Sequence, residues 1–193
     1  MYRRALLLGM QGVGKTSLVN GIKKYKAVNI GDLMFEYLKD KYKLSKKDEL
    51  RYLKTDAIIE ARFYALDKIN EMQENLVIDT HLYSIKGGYR YIPNFNKEEF
   101  DRLKNLVAII YIDASPEEIY NRRLNDKSRQ REASSVYDIA LERDMHIAML
   151  ASVSNISRLP VYILQNHDNK LNESIERLNN LLEEIFNDSN ARG

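Results

Sequence analysis

Along the chain, short apolar runs alternate with longer stretches whose apolar residues recur every three or four positions. Arg4 to Leu8 is a short strand-like run that ends in a glycine-rich turn. Leu18, Val19 and Ile22 then share one face of a helix starting near Lys15. Ala27 to Ile30 predicts a short strand, and Asp32 a cap for a helix through about Tyr42. Ser45 and Asp48 have capping-box spacing, and they predict the start of a long helix carrying Leu53, Ala57, Ala61, Ala65 and Ile69. Leu76 to Ile78 and Val107 to Ile112 are almost wholly apolar, as strands covered on both faces are. Ser115-Pro116-Glu117-Glu118 supplies a capping serine, proline at the first helical position and a glutamate closing the box. Ser135 to Asp138 repeats the signal for a helix to about Ser154, and Pro160 to Leu164 and Asn172 to Phe186 predict the last strand and helix. Gly87 to Asn96, rich in glycine and aromatics, and Asn121 to Arg131, rich in cations, fall outside the pattern. The alternation predicts an α/β domain with a mainly parallel sheet.

Composition narrows the function classes. With 193 residues, 44% hydrophobic and 30% charged, the chain suits one domain. No apolar run approaches the roughly 18 residues of a membrane span. The apolar start stops at Gly9 with no small-residue cleavage site, so a signal peptide is not expected. Cysteine is absent, and His81, His146 and His167 match no zinc spacing. A net charge of +2 is too small for a nucleic-acid coat. The expectation is a cytoplasmic protein with neither membrane nor nucleic-acid partners.

Gly9-Met10-Gln11-Gly12-Val13-Gly14-Lys15-Thr16 fits G-x-x-x-x-G-K-[ST], placed directly after the first strand and before a helix. Glycines let such a loop turn tightly around a phosphate, its N–H groups form an anion nest, and the following helix adds its positive end. Gly9, Gln11, Gly12, Val13, Gly14, Lys15, Thr16 and Ser17 are therefore candidate nucleotide ligands, with Lys15 reaching the β- and γ-phosphates. The loop does not distinguish ATP from GTP. Thr16 and Asp79, the latter at the end of an apolar strand, are candidate Mg²⁺ ligands. His81 either touches a second substrate or hydrogen-bonds within its own loop. Phosphoryl transfer also needs cations that neutralise developing charge, and Arg grips phosphate with a planar fork. Arg122, Arg129 and Arg131 are the candidates, while Arg123, beside Arg122 on a helix, is excluded as pointing elsewhere. By spacing alone, Arg51 reads as a surface residue beside two acids.

These pieces together resemble the archaeal-type adenylate kinases, on Gly9 to Thr16, Gly31-Asp32-Leu33-Met34, Ile78-Asp79-Thr80-His81, Gly88 through Pro93, and Asp113 through Arg131. The resemblance covers nearly the whole chain. It implies a P-loop NTPase fold with a five-stranded sheet, an AMP-binding helical insert over about 32–73 and a short arginine-bearing lid over about 121–133. It implies Mg²⁺-dependent transfer from ATP to AMP, giving two ADP, with Lys15, Arg122, Arg129 and Arg131 catalytic. Gly31, Asp32, Arg51, His81 and Lys86 fall on the AMP side, with Arg90 the alternative to Lys86. Gln165 to Asp168 fall near the adenine of ATP. The family often forms homotrimers, which nothing in the sequence itself demands. The rival readings are a kinase of another nucleoside monophosphate or small acceptor, and an adenylate-kinase-like ATPase switch acting in assembly. A GTPase switch would want an Asn-Lys-x-Asp reader, and Gln165-Asn166-His167-Asp168 lacks the lysine.

Overall fold

A computed structural model describes residues 2–86, 90–126 and 135–187, with the side chains of residues 84–86 and 90 left aside. The strands are β1 (Arg4–Gly9), β2 (Lys26–Asn29), β3 (Leu76–Asp79), β4 (Tyr83–Lys86), β5 (Arg90–Pro93), β6 (Leu106–Asp113) and β7 (Val161–Gln165). The helices are α1 (Lys15–Asn20), α2 (Ile30–Tyr42), α3 (Thr55–Glu71), α4 (Lys97–Arg102), α5 (Pro116–Asn125), α6 (Val136–Ser157) and α7 (Leu171–Asn187).

Five strands form one parallel sheet in the order β2-β3-β1-β6-β7. All of β1 is buried, which is why it reads as an unbroken apolar run. Its residues alternate between two cores. Leu6 and Leu8 join Ile78, Ile109 and Tyr111 beneath Met34, Ala61, Ala65 and Leu66 of α2 and α3. Ala5 and Leu7 join Val77, Ile110 and Ile112 beneath Leu18, Ile119, Leu178 and Leu182 of α1, α5 and α7. The chain builds one side of β1 and then the other, so its direction reverses beside the central strand. The carboxyl ends Gly9, Asn29, Asp79, Asp113 and Gln165 therefore line one edge, where open α/β sheets hold ligands.

Three local expectations need correction, and one helix was not read at all. Asn29, not Asp32, caps α2: its Oδ1 accepts the Asp32 N–H at 3.1 Å, and Asp32 lies in the first turn. Ser45 and Asp48 do not open a long helix. The Ser45 N–H goes instead to Glu49 at 2.9 Å, and a 3-10 helix runs over Lys47–Tyr52, which the extended Leu53 and Lys54 separate from α3. The segment after His81 is not a plain loop, since β4 and β5 pair antiparallel as a hairpin apart from the main sheet. Finally, α4 was not anticipated, although Asn96 and Glu99 give it a capping box. The boxes at Ser115 and Ser135 form as read from the sequence.

Candidate active site

The turn after β1 demands glycine. Gly12 and Gly14 adopt φ of 93° and 84°, and a Cβ on Gly14 would lie 2.5 Å from Asn166 Nδ2. Both facts follow from a loop folded tightly against its supports. Thr16 and Ser17, in the first turn of α1, are exposed. Lys15 is buried, its Nζ bonded to Asp79 Oδ1 and donating to the Thr80 carbonyl at 2.9 Å. Burial lowers the Lys15 pKa, and the Asp79 carboxylate opposes that shift. The second Asp79 oxygen accepts from Asn29 Nδ2 at 2.6 Å, across the β2–β3 register pair of Asn29 and Asp79.

Arg122 on α5 brackets the loop. Its Nη1 donates to the Val13 carbonyl at 3.1 Å, its Nη2 to the Asn166 carbonyl at 2.7 Å, and its Nε to Asp168 at 2.7 Å. Arg123 has a role that the sequence reading did not assign. It does point elsewhere on the helix, yet its Nε donates to the Gln11 carbonyl at 2.9 Å while its other nitrogens grip Glu142 of α6 at 2.8 and 3.1 Å. Neighbouring arginines thus hold two successive bends of the same loop. The buried Asn166 adds a bond from Nδ2 to the Val13 carbonyl at 2.7 Å. Asp113, fully buried at the end of β6, is clamped by Arg143 at 2.9 and 2.6 Å and by Gln165 at 3.0 Å. Arg123, Asn166 and the Asp113–Arg143 pair carry no local sequence signature, because their partners lie on remote elements.

Glu118 ties α5 to the segment after β7. Burial would raise its pKa, but N–H bonds from Asp168 and Ser115 and the nearby His167 outweigh burial and hold it at about 2. His81 follows β3 beside the Gly9 backbone. Burial first, then the charge of Lys15, push it down to about 4, so it is neutral at pH 7. On the α2 side, Lys47 Nζ donates to Asp32 at 2.6 Å and to Asn29 Oδ1 at 2.7 Å. Arg51 is exposed, bonds Asp48 in its own turn and lies 5.9 Å from the Tyr52 ring centroid. Arg129 and Arg131 fall outside the described residues, as do the side chains of Lys86 and Arg90.

A phosphate loop on the central strand, with an aspartate beside it and arginines behind it, defines a P-loop kinase. The family profile described as an AAA domain matches residues 8–140. The chain is 35% identical to the adenylate kinase of Thermoplasma acidophilum over 86% of this chain and 91% of that one. It is 32% identical to the adenylate kinase of Thermococcus onnurineus over 92% and 94%. In fold it matches a shikimate kinase from Bacteroides thetaiotaomicron at a TM-score of 0.56 and 19% identity, covering 94% and 98% of the two chains. The chain belongs to the archaeal adenylate kinase family.

Proposed function

We infer that the chain is an adenylate kinase that passes the γ-phosphoryl group of ATP to AMP and yields two ADP. Family membership across nearly the whole chain carries this reading, and the phosphate loop held by Arg122, Arg123 and Asn166 supplies its physical basis. No side chain need act as a strong base, because the AMP phosphate is already an anionic nucleophile. An AMP oxygen bonds to the γ-phosphorus as the bond to the β,γ-bridging oxygen breaks, and ADP leaves with those electrons.

In our reading, Lys15 exchanges Asp79 for the β- and γ-phosphates, as the lysine of such a loop does. Arg129 and Arg131 stabilise the charge of the transferring group, and Arg122 joins them by giving up one of its bonds to Val13, Asn166 or Asp168. Residues 121–133 act as a short lid whose closure excludes water as a competing acceptor. Residues 32–73 form the acceptor side, with Gly31, Asp32, Arg51, His81 and either Lys86 or Arg90 around AMP. Thr16 and Asp79 suit Mg²⁺, which takes few protein oxygens and otherwise uses phosphate oxygens and water. The exposed Thr16 and an Asp79 whose partners are an exchangeable lysine and a neutral amide fit that demand. When bound, the ion neutralises charge between the β- and γ-phosphates. Such an enzyme works where ATP and AMP are held, in the cytoplasm, and a homotrimer is the assembly the family resemblance suggests. Among the described residues no helix is long and apolar enough to cross a membrane.

The test is a coupled assay of ADP formation from MgATP with AMP, CMP, UMP or a sugar as acceptor. AMP should be preferred strongly. Preference for another acceptor would move the enzyme to that substrate, and slow hydrolysis indifferent to AMP would favour a switch.

A further inference from the structure

Lys47 is a cation of the acceptor side that the sequence did not mark. It sits on the 3-10 helix between α2 and α3, with its side chain 44% exposed. Its ammonium is nonetheless drawn inward, to Asp32 at 2.6 Å and Asn29 Oδ1 at 2.7 Å. Asn29 in turn donates to Asp79, the partner of Lys15. Two side chains therefore separate Lys47 from the lysine of the phosphate loop.

The backbone makes room for this arrangement. A Cβ on Gly31 would lie 2.6 Å from Lys47 Cε and 3.2 Å from Nζ. Gly31 is thus the seat over which the lysine stem crosses to the N-terminal end of α2. The groups that hold Lys47 present only oxygens to it, one from a carboxylate and one from an amide. A phosphate monoester presents the same chemistry with more charge, so it can displace them without leaving the ammonium unsolvated.

We propose that Lys47 binds the phosphate of the acceptor nucleotide, and that Asp32 and Asn29 hold it in place until that phosphate arrives. This rests on the adenylate kinase reading and adds to it a further cation, beside Arg51 and Lys86 or Arg90, that addresses the acceptor's charge.

The experiment uses the full-length protein, with Lys47→Ala, Lys47→Gln and Lys47→Arg. Initial rates are measured against AMP at saturating MgATP, and against MgATP at saturating AMP. Equilibrium binding of AMP and of adenosine is measured by calorimetry. Loss of one charge-assisted contact predicts a rise of about tenfold or more in KM for AMP in the Ala and Gln variants. KM for ATP should stay within about twofold, and Lys47→Arg should recover most of the AMP affinity. Adenosine binding should be unchanged, because it lacks the phosphate.

An unchanged KM for AMP in Lys47→Ala overturns the proposal and leaves the enzyme assignment standing. Equal weakening of AMP and adenosine also overturns it, by showing that Lys47 only props α2. If the unaltered protein forms no ADP from MgATP and AMP, the adenylate kinase reading falls and takes the proposal with it.

Discussion

Lowering the pH from 7 to 5 should cost this protein about 2 kcal/mol of stability through one residue, His146. The imidazole lies on α6 at 3% exposure, packed edge-on to Tyr83 with ring centroids 5.1 Å apart and beside Tyr111 at 6.1 Å. Its Nδ1 has no hydrogen-bond partner among the described residues. Burial, and secondarily the Arg123 guanidinium, hold its pKa down at about 4, against an ordinary 6.5. The folded protein therefore keeps His146 neutral over a range where the unfolded chain binds a proton. Stability from this source is complete above about pH 6.5 and is lost progressively as the pH falls towards 4. The two pKa values give a loss of about 2 kcal/mol by pH 5 and about 3 kcal/mol by pH 4. At this chain length each kcal/mol moves the melting temperature by about 2–4 °C. The assay is thermal unfolding of the wild type and of His146→Phe, which keeps a ring and removes the titration, at intervals between pH 7 and 5. His81 and the carboxylates are common to both proteins, so the difference between the curves isolates His146. The wild type should lose about 4–8 °C more than the variant. Parallel curves would refute the claim that this imidazole is buried neutral.

Three further outcomes follow from the phosphate loop. Lys15→Ala should lower turnover by at least about 10²-fold while the far-ultraviolet circular dichroism stays native, because the lost cation serves the transferring group. Wild-type activity in that variant would remove Lys15 from the chemistry. Gly14→Ala combines a φ of 84° with a Cβ 2.5 Å from Asn166 Nδ2. It should cost about 1–3 kcal/mol in denaturant unfolding and raise KM for ATP more than KM for AMP. Arg123→Ala strands Glu142, whose side chain is 8% exposed, and should cost about 3 kcal/mol or more. The double replacement Arg123→Met with Glu142→Leu should cost less than that, and a double-mutant cycle measures the difference.

What the sequence made legible was local. The β1–loop–α1 unit, the boxes at Ser115 and Ser135 and the buried strands all announce themselves within about eight residues. The apolar alternation in α3 also held, with Ala57, Ala61, Ala65 and Ile69 buried, although Leu53 fell outside the helix. The hairpin of β4 and β5 escaped because each strand is four residues long and neither enters the main sheet. In the site, Lys15 and Asp79 were readable because a motif and a strand end mark them. Asn29 was not, since its role depends on register with Asp79 across two strands fifty residues apart. Arg123 was excluded on helical geometry that was correct. Its hold on a second side of the phosphate loop was not legible, because Gln11 lies 112 residues away along the chain.

That second side explains why α5 carries two adjacent arginines. A peptide plane points its carbonyl and the next residue's N–H in opposite directions. Binding the Gln11 carbonyl to Arg123 therefore turns the Gly12 N–H the other way, and binding the Val13 carbonyl to Arg122 and Asn166 does the same for Gly14. Three side chains from outside the loop thus impose the inward N–H array that makes an anion nest. Each of these donors also answers to another element: Arg123 to Glu142 of α6, Arg122 to Asp168, and Asn166 through its N–H to the Asp113 carbonyl at 2.8 Å. The loop's conformation is consequently set by α5, α6 and the segment after β7 together. A shift in any of them must reach the phosphates through the orientation of these two peptide planes.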